Sequence, residues 1–493
     1  MAPIETREMI VNQRDKVLFP PNEPVLDRLT IFIFLWAAQA IVHQEFVDEW
    51  VISSPVLGWA LTILAWATLL WPRYLLLFIG MISVSLIFNM AEWPYVFNHI
   101  LVETVINITI LLAIANVWRS HQRESKQIDT QARNAIFDRF APVVGVMLVL
   151  VYYFAFIAKL NTDFFNPEIS CATVLYGDLV DLVPLLPNAD WTARVVIWGT
   201  ILVELAIPLL LTFRRTRYTA IILGLGFHFM LGLIGHRTFS ALAFALYSLY
   251  LIEPLSHLVN DGIETARKKF GTAVIKRSLY LGRVIAILIA LLFAVELMGN
   301  YPLAIVRIHP TFWLLWSILI TIIYGSAIIR VWLRRPGHSP LTRVAKPGLL
   351  WLMVVIVILN GMTQYIGLKT KSSFTMYSNL RTESVYNNHF FMPSWPIADY
   401  QKDLVEIIET DAPHLQPYID QKQDITFFEF RRFVSQATDD FQVTYTRNER
   451  VYNFALQDSI STDTNLSQEY PIWLTKLLYF RPISQGEAML CHH

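Results

Sequence analysis

The sequence predicts a mainly α, polytopic helical membrane protein of about eleven transmembrane spans, closed by a small α+β extracytoplasmic C-terminal domain. Three observations lead there. The chain of 493 residues is 55% hydrophobic and only 16% charged, well below the roughly 25% charge of soluble domains. Apolar runs of about 16–22 residues recur through the first three quarters, each near the length that crosses a hydrocarbon core. From about Gly367 the composition turns polar.

The spans read as 29–47, 56–72, 74–90, 99–118, 141–160, 195–213, 218–235, 238–253, 280–299, 311–330 and 348–366, the short 238–253 run fitting a re-entrant segment. Basic residues alternate between their connections. One side holds Arg7, Arg14, Lys16 and Arg28, then Arg73, then Arg119, Arg123, Lys126, Arg133 and Arg139. The same side continues with Arg214, Arg215 and Arg217, with Arg267, Lys268, Lys269, Lys276 and Arg277, and with Arg334, Arg335, Arg343 and Lys346. The opposite connections carry only Arg194, Arg237 and Arg307. The positive-inside rule then sets 1–28 in the cytoplasm, 29–366 in a plasma membrane and 367–493 outside it. The formal net charge of zero hides this segregation. Met1–Arg28 has no apolar core ahead of a small-residue cleavage site, so no cleavable signal is expected.

In the tail, helical patterns at Tyr400–Thr410 and Thr426–Gln436 precede strand-like alternation at Phe441–Thr446 and Val451–Leu456. Two cysteines, Cys171 and Cys491, exclude a cysteine-rich framework. Both lie in stretches expected outside the cytoplasm, where a disulfide between them is allowed. No nucleotide-binding glycine loop, zinc-helix motif or nucleophile elbow is present. The terminal Cys491-His492-His493 is too little to argue for metal, so no metal and no nucleic-acid partner are expected.

Ionisable groups inside the spans are costly and mark sites or interhelical contacts. With this topology, His43, Glu92, Asn98, His99, Glu103, Lys159, His228, His236, Arg237 and Glu296 fall toward the outer ends of their spans, and Glu204 lies deeper. Interfacial solvation suffices for His43, Glu92, His236, Arg237 and Glu296. Asn107 fits an interhelical hydrogen bond. His228 lies between Gly224 and Gly232 on one helix face, which suits either close helix packing or room for a ligand beside the imidazole. Lys159 ends its apolar run in the string YYFAFIAKLNTDFF and shares a helix face with Tyr152. Taking an ammonium out of water favours the neutral amine, which accepts protons; the bland alternative is a lysine snorkelling to the interface.

Several strings together resemble the HTTM family, which includes the vitamin K-dependent gamma-carboxylases. They are Tyr152–Phe165, Asn98–Val105 (NHILVETV), Leu202–Arg217 (LVELAIPLLLTFRRTR), Phe227–Ser240 (FHFMLGLIGHRTFS) and Phe374–Glu383 (FTMYSNLRTE). The resemblance covers roughly 30–390 and aligns Lys159 with the family's catalytic base. It implies a lipophilic cofactor, reduced vitamin K or a related quinol, held in an outer-leaflet cavity. Lys159 would be the base, with His228 and Glu204 in support and with Tyr152, His99, Glu103, Asn161 and Arg381 at the substrate. The sequence departs from the family in having Ala158 beside a single Lys159, Asn161 for an aspartate and Phe164 for a tryptophan. Its external domain is also far shorter than in the animal enzymes, which points away from protein glutamate carboxylation. A lipid-binding or transport protein using the same cavity is a different reading, and a membrane anchor presenting the tail to a protein or peptide partner is a third. Neither inverted repeats nor paired broken helices favour transport.

Overall fold

Long apolar runs in a bilayer satisfy their backbone polar groups only within the segment, so they fold as helices. The computed structural model describes residues 26–46, 54–123, 129–297, 308–334, 348–383, 386–457, 460–461, 464–486 and 488–491. Its apolar part comprises α1 (Arg28–Phe46), α2 (Pro55–Leu70), α3 (Leu75–Glu92), α4 (Asn98–Arg123), α5 (Thr130–Ala158), α6 (Cys171–Leu182), α7 (Asp190–Thr212), α8 (Arg217–Leu233), α9 (Arg237–Leu297), α10 (Ile308–Arg334) and α11 (Trp351–Met362). Among the described residues five helices are long and apolar enough to cross a membrane: Leu75–Glu92, Asn98–Ser120, Thr130–Ala158, Asp190–Thr212 and Trp313–Leu333. Shorter apolar helices are Arg28–His43, Pro55–Leu70, Arg217–Leu233 and Trp351–Met362. The protein is thus a mainly helical membrane protein with a small antiparallel sheet toward its C-terminus.

Among the described residues the five helices do not establish a count of eleven spans. The runs 238–253 and 280–297 belong to two helices of α9 that meet at a kink at Gly271 (φ 79°, ψ 159°). The stretch between them is polar yet rich in Lys, Arg, Leu and Ala, which propagate a helix as readily as they would a loop. Of the residues singled out above, Arg7, Arg14, Lys16, Lys126, Arg307, Arg335, Arg343, Lys346, His492 and His493 lie outside the described residues, as do the side chains of Arg123, Glu296 and Arg334.

The chain forms two compact units that cut across the sequence order. The first joins Met1–Ala91, Val102–Val149 and Ile207–Val354. Phe32 stacks on Trp36 at 5.4 Å and meets Phe137 and Phe140 in its core. At one end Arg28 contacts Asp138 at 2.8 Å and Glu253 at 2.9 Å. Beside it Arg133 binds Asp27 at 2.9 Å and donates to the Arg73 carbonyl at 3.1 Å. Arg28, Arg73 and Arg133, from three successive connections, therefore share one end of this unit.

The second unit joins Glu92–Leu101, Leu150–Ala206 and Val355–His493. Its tail carries β1 (Leu404–Thr410), β2 (Gln423–Thr426), β3 (Phe441–Arg447), β4 (Arg450–Gln457), β5 (Ile460–Ser461) and β6 (Ile483–Ser484), all antiparallel in the order β5-β4-β3-β1-β2-β6. Helices α12 (Gln416–Asp420), α13 (Phe427–Gln436), α14 (Thr464–Ser467) and α15 (Ile472–Leu477) complete it. Thr426 caps α13, its hydroxyl accepting from the Glu429 N–H at 3.3 Å. The helix expected over Tyr400–Thr410 is instead a 3-10 turn, Asp399–Gln401, followed by β1. Val405 and Ile407 point into the core while Glu406 and Ile408 point out. That period of two, held between β2 and β3, overrides the local helical pattern.

Candidate active site

Within the second unit α5 delivers Lys159 one residue past its last turn. The side chain is 3% exposed, and the neighbouring α7 brings Glu204, at 8%, against it. The Lys159 Nζ lies 3.0 Å from Glu204 Oε2 and donates to the Met376 carbonyl at 2.9 Å. The ring of Phe164 stands 5.9 Å from Nζ. Glu204 Oε2 is the carboxylate oxygen that meets this ammonium. Snorkelling does not describe this lysine, because its head is enclosed by protein.

The turn after Lys159 is built by side chains that satisfy backbone groups. Asn161 donates to the Ala158 carbonyl at 2.8 Å and the Ser378 carbonyl at 2.6 Å, and accepts from the Phe164 N–H at 2.8 Å. Its amide is engaged in shaping the turn. Asp163 accepts from the Met489 N–H at 2.7 Å and from Asn388 Nδ2 at 2.8 Å. Asn379 accepts from the Cys171 N–H at 2.8 Å and donates to the carbonyls of Ile169 and Met489, each at 2.9 Å. Cys171 and Cys491 form a disulfide, so the end of the described chain is tied covalently to the first residue of α6.

The opposing wall is an irregular segment in which Ser372, Phe374, Tyr377 and Asn379 take φ of 55°, 64°, 48° and 52°. Left-handed backbone at bulky residues costs of order 1–3 kcal/mol each and persists only where the surroundings enforce it. Here Asn98 Oδ1 accepts from the Phe374 N–H at 2.6 Å, Asn360 Nδ2 donates to the Ser372 carbonyl at 2.9 Å, and the Ser372 hydroxyl donates to the Val96 carbonyl. These reversals turn the Met376 and Ser378 carbonyls toward Lys159 and Asn161. Further along, His389 Nδ1 accepts from the N–H groups of Phe391 and Met392, so Nε2 carries the proton and donates to the Ile157 carbonyl at 2.9 Å. Burial holds this imidazole below its usual range, the hydrogen bond to Ile157 opposing. Glu383 is enclosed and forked by Arg481 at 2.9 and 3.2 Å. Burial alone would raise its carboxyl, but the Arg481 charge and hydrogen bonds, with two backbone N–H groups, hold it below the usual range.

The other expected site residues fall differently. Tyr152 is buried on α5, two turns before Lys159. Arg381 is buried in the same unit, stacked on Tyr386 at 4.8 Å and donating to the Gly486 carbonyl, which gives it a bracing role. His99 stacks on Phe97 at 5.8 Å. Glu103 belongs to the first unit, where it meets His43 at 3.2 Å and the Ser85 hydroxyl at 3.3 Å. His43, expected at a solvated span end, is 3% exposed. Asn107 accepts from Trp36 Nε1 at 3.1 Å and donates to Ser85, an interhelical role. His228, also in the first unit, is fully buried among Phe227, Phe239 and Tyr247, with Ser240 Oγ 3.4 Å from Nδ1. A Cβ at Gly224 would collide with the Tyr247 ring and one at Gly232 with Trp313. Helix packing fills both positions beside the imidazole, so ligand space is not what these glycines provide.

Lys159, Glu204, Tyr152, His99, Glu103, Asn161 and His228 all fall within residues matched by a family model described as HTTM domain. The match spans residues 59–254. HTTM domains are found in vitamin K-dependent carboxylase-like membrane proteins. No curated protein and no solved structure matches the chain significantly. Arg381, Asn388, His389 and the disulfide partner Cys491 lie beyond the HTTM match. Sequence reasoning missed Met376, Asn388 and His389, because each acts through a backbone contact to a segment more than 200 residues away.

Proposed function

We propose that this protein, part of which matches the HTTM domain model, is an integral membrane enzyme in which Lys159 is the base toward a lipophilic, quinol-class substrate. The observation that carries the reading is the enclosed Lys159–Glu204 pair, with Nζ at 3.0 Å and a second acceptor at Met376. The surroundings fit an aromatic hydroxyl compound. Phe156, Leu160, Phe165 and Tyr377 pack against the cluster of Phe164, Cys171, Ala172, Ile197 and Ile201, an apolar and aromatic setting for a ring. A reduced quinone supplies, when bound, a phenolic proton and an electron-rich ring. Once Nζ has given up its proton, it can take the phenolic proton and return to the ammonium that Glu204 pairs. Glu204 and the Met376 carbonyl then stabilise the new positive charge, while the protein wall excludes the water that would compete for the proton.

The test is consumption of reduced vitamin K by the purified protein in nanodiscs. Lys159→Ala should lower turnover by about 10²-fold or more, the usual contribution of a positioned general base, with the thermal unfolding profile still cooperative. Unchanged turnover in the variant would remove Lys159 from the chemistry. Binding without consumption by the native protein, surviving Lys159→Ala, would favour the lipid-binding or transport reading.

A further inference from the structure

Residues 93–97 connect α3 to α4, and both helices are long and apolar enough to span a bilayer. A link of this length reaches at most about 3.5 Å per residue, so it lies at a membrane surface. Its sequence suits that depth. Tyr95 and Phe97 are each 50% exposed, and aromatic side chains favour the headgroup level.

The link is fastened to the C-terminal tail inside the second unit. Trp93 Nε1 donates to the Lys476 carbonyl, and Lys476 Nζ donates back to the Trp93 carbonyl. Tyr95 meets the Tyr479 ring edge-on at 5.2 Å. Helix α15, which contains Lys476, is therefore held at the depth of the link. Leu474 turns inward against Phe428, Leu478 and Phe480. Ile472, Trp473 and Leu477 turn outward, exposed by 75%, 66% and 52%. Three large apolar side chains on so short a helix are unexplained by the fold of the unit. Beside them Lys369 places its ammonium 5.9 Å from the Trp93 ring centroid. Lys369 is 6% exposed and, among the described residues, makes no hydrogen bond or ion pair. Burial pushes its amine down to about 8, which leaves it largely charged at neutral pH.

We propose that α15 and residues 93–97 form an interfacial anchor seated in the phospholipid headgroup layer, with Ile472, Trp473 and Leu477 among the upper acyl carbons and Lys369 directed to lipid phosphate. A lipid surface suits the patch better than a protein because its depth is fixed by two spans, and because an aromatic and aliphatic face beside a lysine matches the layered chemistry of the interface.

The experiment uses the full-length protein in nanodiscs of phosphatidylcholine and phosphatidylglycerol. The native cysteines are paired, so Trp473→Cys and Ile472→Cys each add one reactive thiol for a nitroxide label. Val451→Cys, at a position 63% exposed on β4, is the control. Collision with oxygen relative to a water-soluble nickel chelate should be several-fold greater at 472 and 473 than at 451. A ratio equal to that at 451 places the helix in water and overturns the proposal. Protection from both relaxants at 472 and 473 places it against protein and overturns it equally. Lys369→Met, which keeps the stem and removes the charge, should lower the phosphatidylglycerol retained through detergent extraction; unchanged retention would sink the phosphate contact.

Discussion

A lysine enclosed beside a carboxylate has two uses, and they separate by mutation. Removing one partner of a buried pair leaves the other charge uncompensated, at a cost of about 3–5 kcal/mol, whereas replacing both by apolar groups is often neutral. Glu204→Gln should therefore lower the thermal unfolding midpoint sharply. Lys159→Met combined with Glu204→Leu should recover most of that loss while quinol turnover stays absent. A double variant as unstable as Glu204→Gln would mean that the pair also positions the backbone of the turn. The structure assigns Asn161 a different duty from Lys159, two residues away. Every polar atom of its side chain is engaged by the turn or by the Ser378 carbonyl, so Asn161→Asp should disturb the turn before it disturbs substrate affinity, read as a midpoint drop with KM unchanged.

At the scale of elements, the C-terminal end of α5 is held by His389, whose Nδ1 accepts two backbone N–H groups and whose Nε2–H caps Ile157. Protonating Nδ1 would set an N–H against two other donors. The folded imidazole is depressed below its ordinary 6.5, so its contribution is complete above the unfolded value and is lost as pH falls through the folded one. Glu429 works in the opposite sense. Burial pushes it up to about 7 from 4.5, with Arg432 opposing, so its contribution is present below 4.5 and lost as pH rises through about 7. His389→Asn should flatten the acid limb of a midpoint-against-pH curve and leave the limb near pH 7 in place. The disulfide ties two other elements, the first residue of α6 and the end of the tail. Reduction, or Cys491→Ser, should cost about 2–4 kcal/mol, measured as the difference in unfolding midpoint with and without dithiothreitol. Neither contact announces itself locally. A histidine following two asparagines and a cysteine near the terminus acquire partners only when residues far away in sequence fold beside them.

For the whole molecule, the alternation of charge remains the basis for orientation. Arg28, Arg73 and Arg133 share an end of the first unit, which agrees with placing their three connections on one side of the bilayer. A periplasmic-type alkaline phosphatase reporter fused after residue 493 should be active and one fused before residue 1 inactive; the reverse pattern would invert the topology. The Cys171–Cys491 disulfide belongs with an outward-facing tail, since such bonds persist in oxidising compartments. Much of the membrane part was legible because the bilayer leaves long apolar runs few alternatives to a helix. The failure in the tail has a physical cause too. At β1 neighbouring strands outweighed a local helical pattern.

By itself the sequence determined that this is a helical membrane protein, that its basic residues alternate between connections, and that Lys159 is an ionisable group at a costly place. Those conclusions rest on length, hydropathy and charge, which a chain carries whatever its partners. Only the tertiary structure decided that Lys159 is enclosed with Glu204, that Asn161 shapes a turn, and that Gly224 and Gly232 admit the rings of Tyr247 and Trp313. It also decided that Trp93 and Tyr95 meet Lys476 and Tyr479 of the tail. Each of those depends on contacts between segments distant in sequence, whose approach is set by the packing of the whole unit rather than by any local pattern.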